Sequence, residues 1–154
     1  MKGELVERLK MNMEEISHTV DEKTALKLEL DKSKRIVKRL SSFSNDCEAC
    51  EHHLLELDSQ FIEVLERIDQ LDKKDFKEHY TMTENITSHL QEQHKLIPEG
   101  HYMSIYMSIG VSIGLLFGLF VFDNIAIGLP IGMVIGMMIG IGIDKDTKKN
   151  GRTI

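Results

Sequence analysis

"CEAC" sets Cys47 and Cys50 three residues apart, and "HLQEQH" sets His89 and His94 five apart. Read together they form Cys-x2-Cys, 38 intervening residues, and His-x4-His. Two thiolates and two imidazoles satisfy a tetrahedral zinc ion, and each local spacing lies in the range such sites use. The gap between the pairs is longer than in a zinc finger, so the site requires two helices that bring the start of one beside the end of the next. His52 and His53 are rival ligands, because His53 lies one turn after Cys50. Two other chemistries fit the same residues. A Cys-x2-Cys pair can be redox active, although no βαβ pattern surrounds this one, and a free cysteine is often only a small buried hydrophobe. Four protein ligands would leave no open position, so a zinc ion here is structural and not catalytic.

Helices are available to position these residues. Leu5, Leu9, Met13, Ile16 and Val20 recur at helical spacing, and Leu26, Leu30, Val37 and Leu40 extend the stripe. A first helix is therefore expected over 3–41. "SSFSND" (41–46) interrupts the pattern and offers Asn45 or Asp46 as a cap for a second helix, 47–71, with Leu54, Phe61, Leu65 and Ile68 inward. After "DKKD" (72–75), a third helix over 75–97 carries Phe76, Tyr80, Ile86, Leu90 and Ile97 and stops at Pro98 and Gly100. The expectation is an all-α fold, with an N-terminal helical bundle or coiled-coil segment over residues 1–100. Its apolar residues are sparse, which points to an unknown cytoplasmic protein partner.

Charge then vanishes. Residues 1–102 hold 15 Lys and Arg against 22 Asp and Glu, whereas from Met103 to Ile143 the one charged side chain is Asp123. A helix needs about 20 apolar residues to cross a bilayer core of roughly 30 Å. The stretches 103–122 and 125–143 each meet that length, with Asp123 and Asn124 between them. A two-helix transmembrane hairpin over 101–144 is expected, followed by a basic tail, 145–154. Lys95, Lys145, Lys148, Lys149 and Arg152 flank the spans on one side and the turn carries no cation, so both termini are expected in the cytoplasm. "MKGELVERLK" is charged and lacks the apolar core of a signal peptide.

Glycine punctuates the hairpin at every fourth position: Gly110, Gly114 and Gly118 in the first span, Gly128, Gly132, Gly136 and Gly140 in the second, with Gly142 beyond. In lipid, helices associate by close packing, and small residues let backbones approach. The two rows are expected to face each other. Ser104, Ser108 and Ser112 form another row, roughly opposite the glycines of the first span at about 100° per residue. Those serines face lipid, line a contact with a second copy, or border a polar path. No carboxylate, His or Lys lies inside either span to relay ions, which speaks against a transporter.

"ITSHLQEQHKLIPEGHYMSIYMSIGVSIGLLFG" and "NIAIGLPIGMVIGMMIGIGIDKDTKKNGR", preceded by "CEAC", resemble a group of small bacterial membrane proteins with a helical cytoplasmic segment and a C-terminal glycine-zipper hairpin. The resemblance covers about residues 47–152 and implies an architecture rather than an activity. The acidic balance, the absence of Trp and the lack of a basic aromatic patch give no nucleic-acid footprint. Neither a Rossmann nor a Walker pattern is present. The sequence thus reads as a non-enzymatic integral protein of the bacterial plasma membrane, in contact with the lipid bilayer. It is expected to be a homo-oligomer through its hairpin, with structural zinc as its cofactor. The alternative is a small oligomeric pore or membrane-perturbing effector.

Overall fold

The computed structural model describes every residue except Met1 and Phe122, with Lys2 described by its backbone alone. The described residues form seven helices: α1 (Lys2–Thr19), α2 (Glu22–Lys27), α3 (Leu30–Phe43), α4 (Glu48–Glu66), α5 (Lys73–His94), α6 (His101–Phe120) and α7 (Ile125–Lys149). Strand structure among them is limited to one isolated bridge, Ile97 with Thr153. The chain divides into two compact units, residues 1–94 and residues 95–153.

In the first unit the expected single helix over 3–41 is three helices. Asp21 is extended and its carboxylate accepts the Thr24 N–H at 3.2 Å, starting α2 where continuity was expected. Glu29 then takes a left-handed conformation, φ 44°, and turns the chain into α3. The break rotates the apolar stripe: Leu28 and Leu30 are buried, while Leu26 points outward at 70 % exposure. The second expected helix ends at Glu66, with a 3-10 turn at Ile68–Gln70. The third ends at His94, because Lys95 is left-handed at φ 55°. Cys47, rather than Asn45 or Asp46, occupies the cap position of α4. Asp72 caps α5 in a reciprocal box: its carboxylate accepts the Lys74 and Asp75 N–H groups, and its own N–H donates to Asp75. Those bonds hold the Asp72 carboxyl below its ordinary range.

The core of this unit is Leu9, Met13 and Ile16 from α1, Ile36 and Leu40 from α3, Leu54, Leu57 and Phe61 from α4, and Ile86 and Leu90 from α5, all fully buried. Arg8 clamps α1 to α4 through a two-pronged ion pair with the buried Asp58, Nε to Oδ1 at 3.0 Å and Nη2 to Oδ2. Burying a carboxylate demands such a partner.

α5 buries Ile86 and Leu90 as expected and departs from the expected stripe near its start. Tyr80 lies outward beneath Lys32, whose Nζ is 5.7 Å from the ring centre, and His79 takes the buried position. His79 is accommodated because its Nδ1 meets Gln60 Oε1 at 2.9 Å, its Nε2 approaches Ser33 Oγ at 3.4 Å, and its ring packs edge-on against Phe61. Burial lowers its pKa, outweighing the Leu28 backbone and Glu29, which raise it; Lys32 lowers it further. The folded state therefore binds the His79 proton less readily than the unfolded state. Stability from this group is present above the unfolded value, near 6.5, and is lost as pH falls below it. We expect the first unit to weaken between pH 7 and pH 5, and His79→Gln to flatten that dependence. Thermal unfolding across pH tests this; equal slopes for both proteins would refute it.

The second unit is an antiparallel hairpin of α6 and α7. α6 begins two residues before the expected 103, and Phe122, the last residue of the expected span, lies outside the described residues. α7 continues past 143 to Lys149, drawing Lys145, Lys148 and Lys149 from the expected tail into the helix. Pro130 is the sixth residue of α7, so its missing N–H removes the i→i−4 bond that a residue there would make to the Ala126 carbonyl. The turn is tight: Asp123 is left-handed at φ 47°, Asn124 donates its N–H to Gly118 O at 2.8 Å, and its side chain accepts the Ala126 N–H at 3.0 Å.

Candidate functional site

Cys47 and Cys50 stand at the first turn of α4, where a three-residue step keeps both thiols on one face. His89 lies near the end of α5 and His94 is its last residue, so the fifth-residue spacing is completed where the helix stops. One ligand atom from each of the four side chains lies within 4.8 Å of all the others. The sulfur of Cys50 is 3.4 Å from His89 Nε2 and 3.2 Å from His94 Nε2, and the sulfur of Cys47 is 3.4 Å from His89 Nε2. Around a tetrahedral zinc with bonds of about 2.3 Å to sulfur and about 2.0 Å to nitrogen, the sulfur–nitrogen edges are about 3.5 Å. The residues already stand near those edges.

Burial, and then the neighbouring Cys47, push the Cys50 thiol up to about 12. Burial, followed by His53 and His94, lowers the pKa of His89. Cys50 must give up its proton to bind a metal, whose charge would offset that thiolate penalty, and a neutral His89 imidazole offers the lone pair a metal takes. Phe43 stacks on the His94 ring at 4.0 Å and 20°, fixing its plane. The rival ligands stand outside the cluster. His53 packs edge-on against His89 at 5.4 Å and turns its Nδ1 to Glu56 Oε2 at 2.8 Å, while His52 reaches Glu56 from an exposed position.

The glycine rows meet. Cβ atoms added at Gly110 and Gly114 would stand 3.0 Å from the Cα atoms of Gly136 and Gly132, and one at Gly118 would stand 3.0 Å from the Cα of Ile125. At Gly132 a Cβ would lie 2.6 Å from the Gly114 Cα and 2.8 Å from its N. Gly128 faces the Gly118 backbone, Gly136 the Tyr106 carbonyl and Gly140 the Met103 Cα. Gly142 has nothing within 4 Å. The serines are exposed on α6, and each hydroxyl donates to the carbonyl four residues back: Ser104 to Gly100 at 3.1 Å, Ser108 to Ser104 at 2.9 Å and Ser112 to Ser108 at 3.0 Å. Such back-bonding lets a hydroxyl face lipid without an unmet donor.

One residue of this hairpin is not singled out by its sequence context. The Asp144 carboxylate accepts the Tyr102 N–H at 3.1 Å and the Met103 N–H at 2.9 Å, closing the free amides of the α6 N-terminus from the far end of α7. The register of the glycine rows, extended to the chain ends, places 144 opposite 102 and was the available signal. Asp144→Ala removes a charged cap, which is worth about 1 kcal/mol. We expect the Tyr102 and Met103 amides to exchange with deuterium about fivefold faster in the variant, as that free energy dictates; unchanged exchange would show that the cap does not hold the hairpin.

The outer faces of both helices are apolar and open: only 17 % of the apolar stretch of α6 and 22 % of that of α7 is buried. A core helix of a water-soluble fold buries most of its surface, whereas lipid is the matching solvent for this one. Residues 98–146 match the family described as glycine zipper membrane protein. No curated protein and no solved structure matches the chain.

Proposed function

With residues 98–146 a glycine zipper membrane segment, we propose that this is a non-enzymatic, membrane-anchored protein whose helical first unit is clipped by a structural zinc ion and presented to a protein partner. The observation that carries it is the convergence of Cys47, Cys50, His89 and His94 within 4.8 Å. The set uses two soft thiolates and two imidazoles, the donor types zinc prefers, and its four protein ligands leave no vacancy for a substrate. The clip would join the start of α4 to the end of α5, adjacent to the point where the chain passes to the hairpin.

The hairpin anchors this unit in a bacterial plasma membrane, a reading supported by the resemblance of residues 47–152. The cations that follow α7 support placing both termini in the cytoplasm. Because the glycines are taken up between α6 and α7, Ser104, Ser108 and Ser112 form the small-residue row left for a second copy, and homo-oligomer formation is assigned to that face. Their hydroxyls are already bonded within α6, which favours a packing surface over a polar path.

The test is the metal content of the full chain, purified in detergent without chelator or histidine tag. One zinc per chain in the wild type, lost in Cys50→Ser and in His94→Ala, is the expected result. A metal-free wild type that stays metal-free when zinc is supplied would overturn the clip.

A further inference from the structure

α7 presents a second organised face, turned away from its glycines. Ile131, Val134, Met138 and Ile141 alternate steps of three and four and are all exposed, Met138 at 68 %. At about 100° per residue they fall within one narrow arc, roughly opposite Gly132 and Gly136. Continuing the same spacing reaches Lys145 and then Lys149, both exposed. The apolar strip therefore runs straight into cations.

Length places those cations at a particular depth. α7 has 25 residues, about 37 Å of helix, against a hydrocarbon core of roughly 30 Å. With Ile125 at one surface, the turn that carries Lys145 and Lys149 emerges among the headgroups at the other. There a recess of about 250 Å³ is lined by Ile141, Lys145 and Lys148 together with Glu99 and Asp144. Both acids are engaged: Asp144 accepts the α6 amides, and Glu99 holds Lys148 at 2.7 Å. Asp146 stands about 100° to the side of Lys145 and about 60° from Lys149, its i,i+3 neighbour, so Lys145 is the cation farther from that carboxylate.

We infer that this face of α7 is a binding site for an anionic phospholipid, with acyl chains along Ile131, Val134, Met138 and Ile141 and the phosphate between Lys145 and Lys149. A lipid bearing net negative charge is the complement of an apolar strip ending in two exposed ammonium groups. A second copy fits the strip less well. Packed in parallel along the same seam, the two copies would bring Lys145 and Lys149 of each against the same cations of the other, and like charges there are repulsive. This inference rests on the membrane hairpin and is independent of the zinc site.

The chain has no tryptophan, so Met138→Trp in the full-length protein makes a single reporter on the strip. The protein is reconstituted into phosphatidylcholine vesicles with either brominated phosphatidylglycerol or brominated phosphatidylcholine at equal mole fraction. Quenching is expected to reveal phosphatidylglycerol at the strip about tenfold above its bulk fraction, and that preference is expected to disappear in M138W/K145Q/K149Q. Equal quenching by both lipids, or a preference that survives the two glutamines, overturns the proposal. Weak quenching by either lipid also overturns it, because a second copy of the chain then covers the face.

Discussion

Gly132→Ala is expected to push the two spans apart, although it adds a single methyl group to a helix that alanine favours. The new Cβ would lie 2.6 Å from the Gly114 Cα and 2.8 Å from its N. These are backbone atoms, so no rotamer change relieves the clash and the helices themselves must move. Overpacking costs about 1–3 kcal/mol even where side chains can give way. Gly132→Leu cannot be accommodated without losing the contact. Gly142→Ala is the matched control: nothing lies within 4 Å of it, and alanine is the better helix former by about 1 kcal/mol. Spin-labelled non-natural residues at Ile105 and Met138 report the separation directly. A narrow distance distribution is expected in wild type and Gly142→Ala, a shifted one in Gly132→Ala, and a broad one in Gly132→Leu. If the leucine variant keeps the wild-type distribution, the glycine rows do not form the contact that holds the hairpin.

Under the proposed zinc clip, removing metal from the first unit is expected to have the other large effect. Without it, Cys47 and Cys50 at the start of α4 and His89 and His94 at the end of α5 lose their common partner, and Leu54, Leu57, Ile86 and Leu90 remain as core contacts. A ligand present at a thousand times its dissociation constant stabilises the folded state by about 4 kcal/mol, which is about 20 °C in melting temperature for a domain this size. A chelator is expected to produce a loss of that order in the wild type and none in Cys50→Ser, which has already lost the site. Cys47→Ser is expected to be milder, because the Cys50 sulfur approaches both histidines while that of Cys47 approaches His89. Thermal unfolding of the full chain, with and without chelator, measures all three. Equal chelator effects in wild type and Cys50→Ser would mean that the stabilising metal is bound elsewhere.

Features written in local spacing are legible in the amino-acid sequence. The hairpin follows from hydropathy and the four-residue glycine period, and the cysteine and histidine pairs each carry their own short-range spacing. Features that depend on partners distant in sequence are not legible there. His79 reads as one more polar residue of α5, and the groups that satisfy it, Gln60 and Ser33, lie 19 and 46 residues away. Asp144 resembles the start of a charged tail until the glycine register is carried to the helix ends, because its partners are backbone amides 41 and 42 residues earlier. The break at Glu29 is hidden for a different reason. Leu26, Leu30 and Leu40 continue a plausible stripe across it, and the left-handed turn leaves no glycine or proline as a marker. Periodicity reports which residues are suited to one face of a helix; it does not report whether the helix continues.

The turn at Asp123 and Asn124 also constrains biogenesis. With Asn124 bonded back to Gly118 and forward to Ala126, no slack separates the end of one span from the start of the next. With both termini on one side, as proposed, Asp123 is the one charged group of residues 103–143 carried across when the two spans enter. Carrying that carboxylate through the midplane costs about 3 kcal/mol, and each apolar residue of the spans returns a few tenths. Summed over the two spans, the apolar residues outweigh that cost.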